Sequence, residues 1–271
     1  MSADDVKVYY NRGREQGRLT NGNDKLELVR SKEIISRYLP KPPATLLDIG
    51  GGAGVYALWL ARLGYSVHLV DLMPIHIEQA TTAAQSQPDY PLTSATVGDA
   101  RKLEFPDNSF DSVLMLGPLY HLTERTERVD ALREAYRVLK PSGYLFAATI
   151  SQFASMLDGM MKGYLADAYF AGLVERVLVD SQHRNPKGEA GYFTTAYFHY
   201  PTDSAGELAD AGFQVETTVA IEGPAGFMPN FDQFWDDEIL RERLLGFLRT
   251  IESEPTMLGA TGHIMTVGRK A

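Results

Sequence analysis

Between Ala44 and Ile150 the sequence alternates short apolar runs with longer amphipathic ones, separated by turn residues. "ATLLDIG" reads as a buried strand ending in glycines, "GVYALWLARLG" as a helix closed by Gly64, and "YSVHLVDL" as a second strand ending in Asp71. A helix opening at Pro74, the short strand "SATVGDA", a turn at "PDNS" and the strand "FDSVLMLG" follow. Val129, Leu132, Tyr136 and Leu139 then recur at helical spacing, Pro141-Ser142-Gly143 ends that helix, and "YLFAATI" is the fifth strand. Strands separated by helices in this way predict an α/β chain with a Rossmann-like, doubly wound, mostly parallel sheet and helices on both faces.

Two later strand patterns, "FQVETTVAIEG" and "HIMTVGRK", bring the expected sheet to seven strands. The expected plan is a helical arm or lid over 1–43, with its helix ending near Leu39, and a cofactor-binding core over 44–150. A cap insertion rich in Met, Tyr, Phe and Gly covers 151–200. The remainder, 201–271, completes the sheet and carries a helical cap segment over 224–258, in which Leu240, Leu244, Leu248 and Ile251 share a face.

Composition narrows the chemistry. The 271 residues hold 26 Lys+Arg against 35 Asp+Glu, a net charge of −9 with no basic run, which argues against nucleic acid or an anionic membrane as partner. There is no cysteine, so disulfides, thiolate metal sites and cysteine nucleophiles are excluded. No spacing of His and acids reads as a metal site. No apolar run approaches the roughly 20 residues of a membrane span, and a cytoplasmic protein is expected, as a monomer or homodimer acting on a small molecule.

The stretch "LLDIGGGAGVYALWLA" places four glycines between a strand and a helix whose partly positive N-terminus points at whatever the loop holds. Gly52, Gly54 and Ala57 satisfy a loose G-x-G-x-x-A pattern, with Asp71 lying 19 residues after Gly52, so a nicotinamide-dependent oxidoreductase is one reading. Asp48 argues for another. A carboxylate at the mouth of the loop repels a pyrophosphate but suits a ligand carrying an ammonium and a sulfonium, as S-adenosylmethionine does, with Asp71 accepting both ribose hydroxyls.

"LLDIGGGAG", "HLVDL", "VGDARKLEFPDNSFDSVLMLG" and "RVLKPSGYLFAAT", in this order and at these separations, resemble the class I S-adenosylmethionine-dependent methyltransferases. The resemblance spans residues 44–150. It implies that Asp48, Gly50, Gly51, Gly52 and Gly54 form the methionine-binding loop, and that Asp71 clamps the ribose with Leu72 and Met73 beside the adenine. It also implies that Asp99 accepts from the adenine amino group next to Ala100, that Leu116 and Gly117 flank the cofactor, and that Tyr10 in the N-terminal arm closes over it. The implied activity is transfer of a methyl group to O, N or C of a small molecule. A binding protein that keeps the cofactor pocket without catalysis is the remaining alternative.

Ligands in doubly wound sheets bind beyond the carboxyl ends of the strands where the strand order reverses, so the "LGPLYHL" exit of the fourth strand should face the reacting methyl group. It lacks the Asn or Asp followed by two prolines and an aromatic that some amino-group methyltransferases of this class carry. His121 either serves as base for a hydroxyl or acidic C–H acceptor or bonds within its loop. Tyr120 is expected in the substrate wall. From the cap, Arg184, Tyr197 and His199 are candidate substrate contacts, with Arg184 available to an anionic group. His68 and His76, inside a strand and a helix, read as structural.

Overall fold

A computed structural model describes Gly17, Leu19 and residues 21–189 and 191–271. The chain enters through helix α1 (Asp24–Ser36) and then alternates β1 (Thr45–Ile49), α2 (Val55–Arg62), β2 (Ser66–Asp71), α3 (Pro74–Ala84), β3 (Ser94–Val97) and β4 (Phe110–Met115). A short helix α4 (Pro118–His121), helix α5 (Arg125–Val138) and strand β5 (Leu139–Ile150) follow. The cap comprises α6 (Ala154–Lys162), α7 (Ala168–Asp180) and a small pair, β6 (Gln182–His183) with β7 (Ala196–Tyr197). The last part holds α8 (Asp203–Asp210), β8 (Gln214–Ala220), α9 (Phe231–Trp235), α10 (Glu238–Ile251) and β9 (His263–Arg269).

Seven strands form one sheet in the order β3-β2-β1-β4-β5-β9-β8. All neighbours run parallel except β9, which is antiparallel to both β5 and β8. The order reverses between β1 and β4, which opens a crevice beyond their carboxyl ends. Alternation along the strands feeds two cores. Leu46, Val67 and Leu69 pack on one face against Tyr56, Ala57 and Leu60 of α2 and Ile34 and Ile35 of α1. Leu47, Ile49 and Val70 pack on the other against Leu132, Ala135 and Val138 of α5. Each such aliphatic side chain contributes roughly 1.5–3 kcal/mol of transfer free energy, so the strand ends at the crevice are held on a rigid platform.

Two expectations differ from the structure. The arm helix ends at Ser36 and not near Leu39, with Arg37 as its C-cap. Pro141-Ser142-Gly143 does not separate helix from strand, because β5 starts at Leu139 directly after α5. Its register with β4 jumps from Phe110↔Leu139 to Ser112↔Tyr144, which extrudes the tripeptide as an irregularity. Proline has no N–H for the ladder, and a Cβ at Gly143 would stand 2.8 Å from the Asp111 carbonyl oxygen, so the sequence marks a bulge inside the strand.

Helix α1 is strapped to the C-terminal part. The fully buried Arg30 pairs with Glu33 at 2.6 Å and with Glu252, and its Nε donates to the Ile221 carbonyl at 3.3 Å. Arg37 also pairs with Glu252 and Arg249 with Glu33 at 2.7 Å, so the buried guanidinium is charge-matched rather than isolated. This strap holds Glu27 of α1 against the crevice.

Candidate active site

A cavity of about 430 Å³ opens at the crevice, bounded by the β1–α2 loop, the ends of β2 and β3, the β4 exit with α4, and Glu27 of α1. At its centre the chain leaves β1 with Asp48, crosses three glycines, and enters α2 through Gly54. The Gly50 and Gly51 amides donate to the Val70 carbonyl at 2.7 and 3.4 Å, which ties the loop to the neighbouring strand.

Asp48 is 1% exposed, and its Oδ2 is sealed from solvent without a hydrogen-bond partner. It lies directly under Gly51, where a Cβ would stand 2.7 Å from that oxygen. Burial, and next the neighbouring Asp71 charge, push its carboxyl up to about 7, against an opposing interaction with the Ala57 backbone. A buried carboxylate oxygen left unsatisfied on a cavity wall is costly unless a cation or donor arrives, so the site fits a ligand with a positively charged group.

Asp71 ends β2 and is 6% exposed. Its Oδ2 accepts from the Gly52 amide at 2.9 Å, and its Oδ1 accepts from the Met73 amide at 2.8 Å and faces His76 Nδ1 at 3.0 Å. The carboxylate expected to stand ready for two ribose hydroxyls therefore already receives three protein donors. Asp99 is engaged as well: Arg101 donates to it from its backbone at 2.9 Å and from its guanidinium at 2.6 to 3.2 Å. That ion pair holds the Asp99 carboxyl below its ordinary value, and Arg101 spans on to Glu127 at 2.5 Å. Among the described residues Arg101 is the one lysine or arginine on a wall that also presents Glu27, Asp48, Asp71, Asp99, Glu124 and Glu127.

At the opposite wall, α4 carries Tyr120 and His121. Their rings lie 4.6 Å apart, and Phe193 of the cap stacks on His121 at 6.0 Å. Burial pushes the His121 imidazole down to about 4, against the opposing Thr195 backbone hydrogen bond and the Asp71 charge. The imidazole is thus neutral through the physiological range, available as a proton acceptor but a weak one.

Most residues singled out in the sequence meet around this one cavity: Asp48, Gly50, Gly51, Gly52, Asp71, Leu72, Met73, Asp99, Ala100, Leu116, Gly117, Tyr120 and His121. Tyr10 lies outside the described residues. Gly54, Arg184, Tyr197 and His199 are not on the cavity wall. Gly54 permits close helix packing, since a Cβ there would stand 3.1 Å from Ala80 Cβ. Tyr197 lies under the Arg128 guanidinium at 3.8 Å, Arg128 pairs with Glu207 at 2.7 Å, and His199 sits 3.4 Å from the same carboxylate. That buried cluster ties α5 to α8 and takes two of the expected substrate contacts into the framework. Arg184 donates to Gln182 at 3.2 Å. Conversely, His76, Glu27, Arg101 and Thr195 line the cavity without having been singled out. For His76 a signal existed: it stands five residues after Asp71 in the first turn of α3.

The sheet with its reversed last strand, the glycine loop and the acidic strand ends together define the Rossmann-like fold of class I methyltransferases. Residues 47–147 match the family described as a methyltransferase domain, and the chain carries a class I S-adenosylmethionine-dependent methyltransferase domain. Among curated relatives, the ubiquinone/menaquinone biosynthesis C-methyltransferase UbiE of a Ruegeria species is 34% identical over 140 residues, covering 51% of this chain and 53% of that protein. The ubiquinone biosynthesis O-methyltransferase of Xanthomonas axonopodis pv. citri is 29% identical, covering 68% of both chains. The chain spans about half the length of the first of these. A crystal structure of an S-adenosylmethionine-dependent methyltransferase from Methanosarcina mazei shares the fold at a TM-score of 0.59 and 24% identity, covering 88% of this chain and 96% of that one.

Proposed function

We propose that this chain is a cytoplasmic enzyme that moves a methyl group from S-adenosylmethionine to an oxygen, nitrogen or carbon of a small molecule held under the cap. The observation that carries the proposal is the sealed, unsatisfied Asp48 carboxylate oxygen beneath a bare glycine on the cavity wall. When bound, the cofactor supplies an electrophilic methyl carbon on a sulfonium. Asp48 offers negative charge to its cationic end, Gly52 leaves the wall open, and Asp71 accepts from the ribose. Leu72, Met73 and Ala100 border the adenine, with Asp99 accepting from its amino group as it exchanges partners with Arg101. Leu116 and Gly117 flank the reacting end.

Methyl transfer of this kind is an in-line displacement, so the protein's work is alignment at near-attack distance and exclusion of water. Tyr120 walls the acceptor side, Phe193 backs the His121 ring, and a ring nitrogen of His121 takes the proton that a hydroxyl or acidic C–H acceptor must lose. The relatives include both C- and O-methyltransferases acting in quinone biosynthesis, which supports a phenol-like acceptor class for the family core.

Calorimetric titration with S-adenosylmethionine, S-adenosylhomocysteine and NAD tests the reading. Micromolar binding of both sulfur nucleosides and none of NAD is the expected result. Binding of NAD alone would overturn the assignment of Asp48 and revive hydride transfer on the same loop. Cofactor binding without turnover of any phenolic acceptor would favour the non-catalytic alternative.

A further inference from the structure

His121 is the last residue of α4, a helix of four residues, so its own element is too short to fix the direction of the imidazole. Two residues close together in the cap reach the ring instead. Phe193 stacks on it at 6.0 Å with the ring planes 26° apart. A hydrogen bond with the Thr195 backbone favours the charged imidazole. Only a ring N–H donating to a carbonyl has that effect, so the Thr195 oxygen accepts and keeps a proton on the nitrogen that faces it.

Phe193 holds its place against its own backbone. Its φ is +32°, in the left-handed region where Cβ crowds the following carbonyl and a bulky residue is an outlier. Such strain persists only where the surroundings over-determine it, and it concentrates at functional sites. Here Asn185 fixes the turn: its Nδ2 donates to the Tyr192 and Phe193 carbonyls at 3.0 Å each, and its Oδ1 accepts from the Tyr169 hydroxyl of α7 at 3.0 Å. The Phe193 ring then meets Tyr120 and Phe198, each at 6.3 Å, as well as His121. Resting on the reading that His121 takes the acceptor's proton, we propose that Phe193 is a positioning residue for that step: its ring, held inward by the Asn185-bonded turn, clamps the imidazole face and keeps water from it while the Thr195 carbonyl fixes the tautomer. The cap thereby sets the state of the base as well as covering the cavity.

Other groups bear on the imidazole and stay in place when Phe193 is changed. Asp71 of β2 and His76 of α3 act on it through charge, and Tyr120 stands beside it at 4.6 Å. His183 of β6 meets the Phe193 ring at 6.3 Å. The remaining charges on the cavity wall are Glu27, Asp48, Asp99, Arg101, Glu124 and Glu127. Comparison of variants at one position therefore isolates the clamp.

The experiment is a pH titration of the full chain by NMR with isotope-labelled histidine, the His121 signal being identified by its loss in His121→Asn. In wild type the His121 imidazole should stay neutral down to about pH 5, as a single tautomer, because burial holds it near 4. Phe193→Leu removes the ring face and admits water, so the midpoint should rise by about one pH unit or more toward the ordinary histidine value, with the two tautomers mixed. Phe193→Tyr keeps the ring and should restore the wild-type titration, and Phe193→Met replaces the leucine variant if that one does not fold. Calorimetry should show unchanged S-adenosylhomocysteine affinity in all of them. A lower Tm in Phe193→Leu with an unmoved His121 midpoint would reduce Phe193 to packing and overturn the proposal, as would a wild-type imidazole that already titrates near 6.5. A clamped imidazole in a chain whose His121→Asn variant keeps wild-type kcat would instead overturn the catalytic reading of His121, and with it the part of Phe193 in turnover.

Discussion

The Gly52 amide donates to Asp71 Oδ2 at 2.9 Å, so the carboxylate that ends β2 also pins the loop that leaves β1. With the Val70 carbonyl holding the Gly50 amide at 2.7 Å, the glycine loop is preorganised by its neighbouring strand before any ligand arrives. On the proposed function Asp71 would therefore act on the cofactor twice, directly and through the loop.

Asp71→Ala should weaken S-adenosylhomocysteine binding by about 1.5–3 kcal/mol, the range for hydrogen bonds to a charged group, with a further loss from the freed Gly52 amide. Asp71→Asn, which keeps one acceptor oxygen, should fall between the two. Calorimetry reads both. An unchanged dissociation constant in the alanine variant would show that the clamp is elsewhere.

Asp48 predicts a dependence of stability on pH. Its folded value of about 7 lies above the ordinary carboxylate value, so its contribution is fully present at pH below the unfolded value and is lost as pH rises through 7. Without cofactor, wild-type Tm should drop between about pH 5 and about pH 8, corresponding to stability on the order of 2 kcal/mol, and Asp48→Asn should flatten that drop. Thermal melts across the range decide it, and a flat wild-type profile would sink the idea. A cationic ligand favours the ionised carboxylate, so binding near pH 7 should also release protons, seen as a binding enthalpy that varies with the buffer.

Gly51 and Gly52 are needed for different reasons, and alanine should separate them. At Gly51 the added Cβ meets Asp48 Oδ2 at 2.7 Å, which displaces the carboxylate and should cost cofactor affinity in particular. At Gly52 nothing lies within 4 Å of a Cβ, but φ is +55°, so alanine carries a backbone penalty of roughly 1–2 kcal/mol and projects into the cavity. The expected pattern is a larger loss of Tm in Gly52→Ala than in Gly51→Ala, with weakened binding in both, measured by melts and titration side by side.

His121 should be dispensable for binding and needed for turnover. His121→Asn is expected to retain the cofactor and lose on the order of 100-fold in kcat with an acceptor that must shed a proton. Since burial holds the imidazole near 4, the acid limb of its kcat/KM profile should lie well below the ordinary histidine range. A limb near neutrality that persists in the variant would assign the proton transfer to another group.

How much of this was legible in the residues varies along the chain. The β1 strand, its glycines and Asp48 are contiguous, and Asp71 closes a strand pattern of its own, so local periodicity brings them to one end of the sheet, whereas Asp99, past the end of β3, is implied by the family resemblance alone; all of them line the crevice. His76 was read as a helix residue because only the turn at Leu72 and Met73 brings its ring back onto Asp71. Arg184, Tyr197 and His199 looked available because they occur in an aromatic, polar segment. The acid that holds His199 and the arginine that covers Tyr197 come from Glu207 and Arg128, on two helices distant in sequence.

The sequence by itself determined the alternation of strands and helices, the bareness of the loop and the absence of cysteine chemistry. Those properties depend on residue type and on spacing within a few positions. Tertiary structure alone decided that Arg101 reaches Glu127 of α5, that α1 carries Glu27 to the cavity through its strap to Glu252, and that Phe193 packs over His121. Each of these is a contact between elements whose separation along the chain has no period, set by how whole faces pack together.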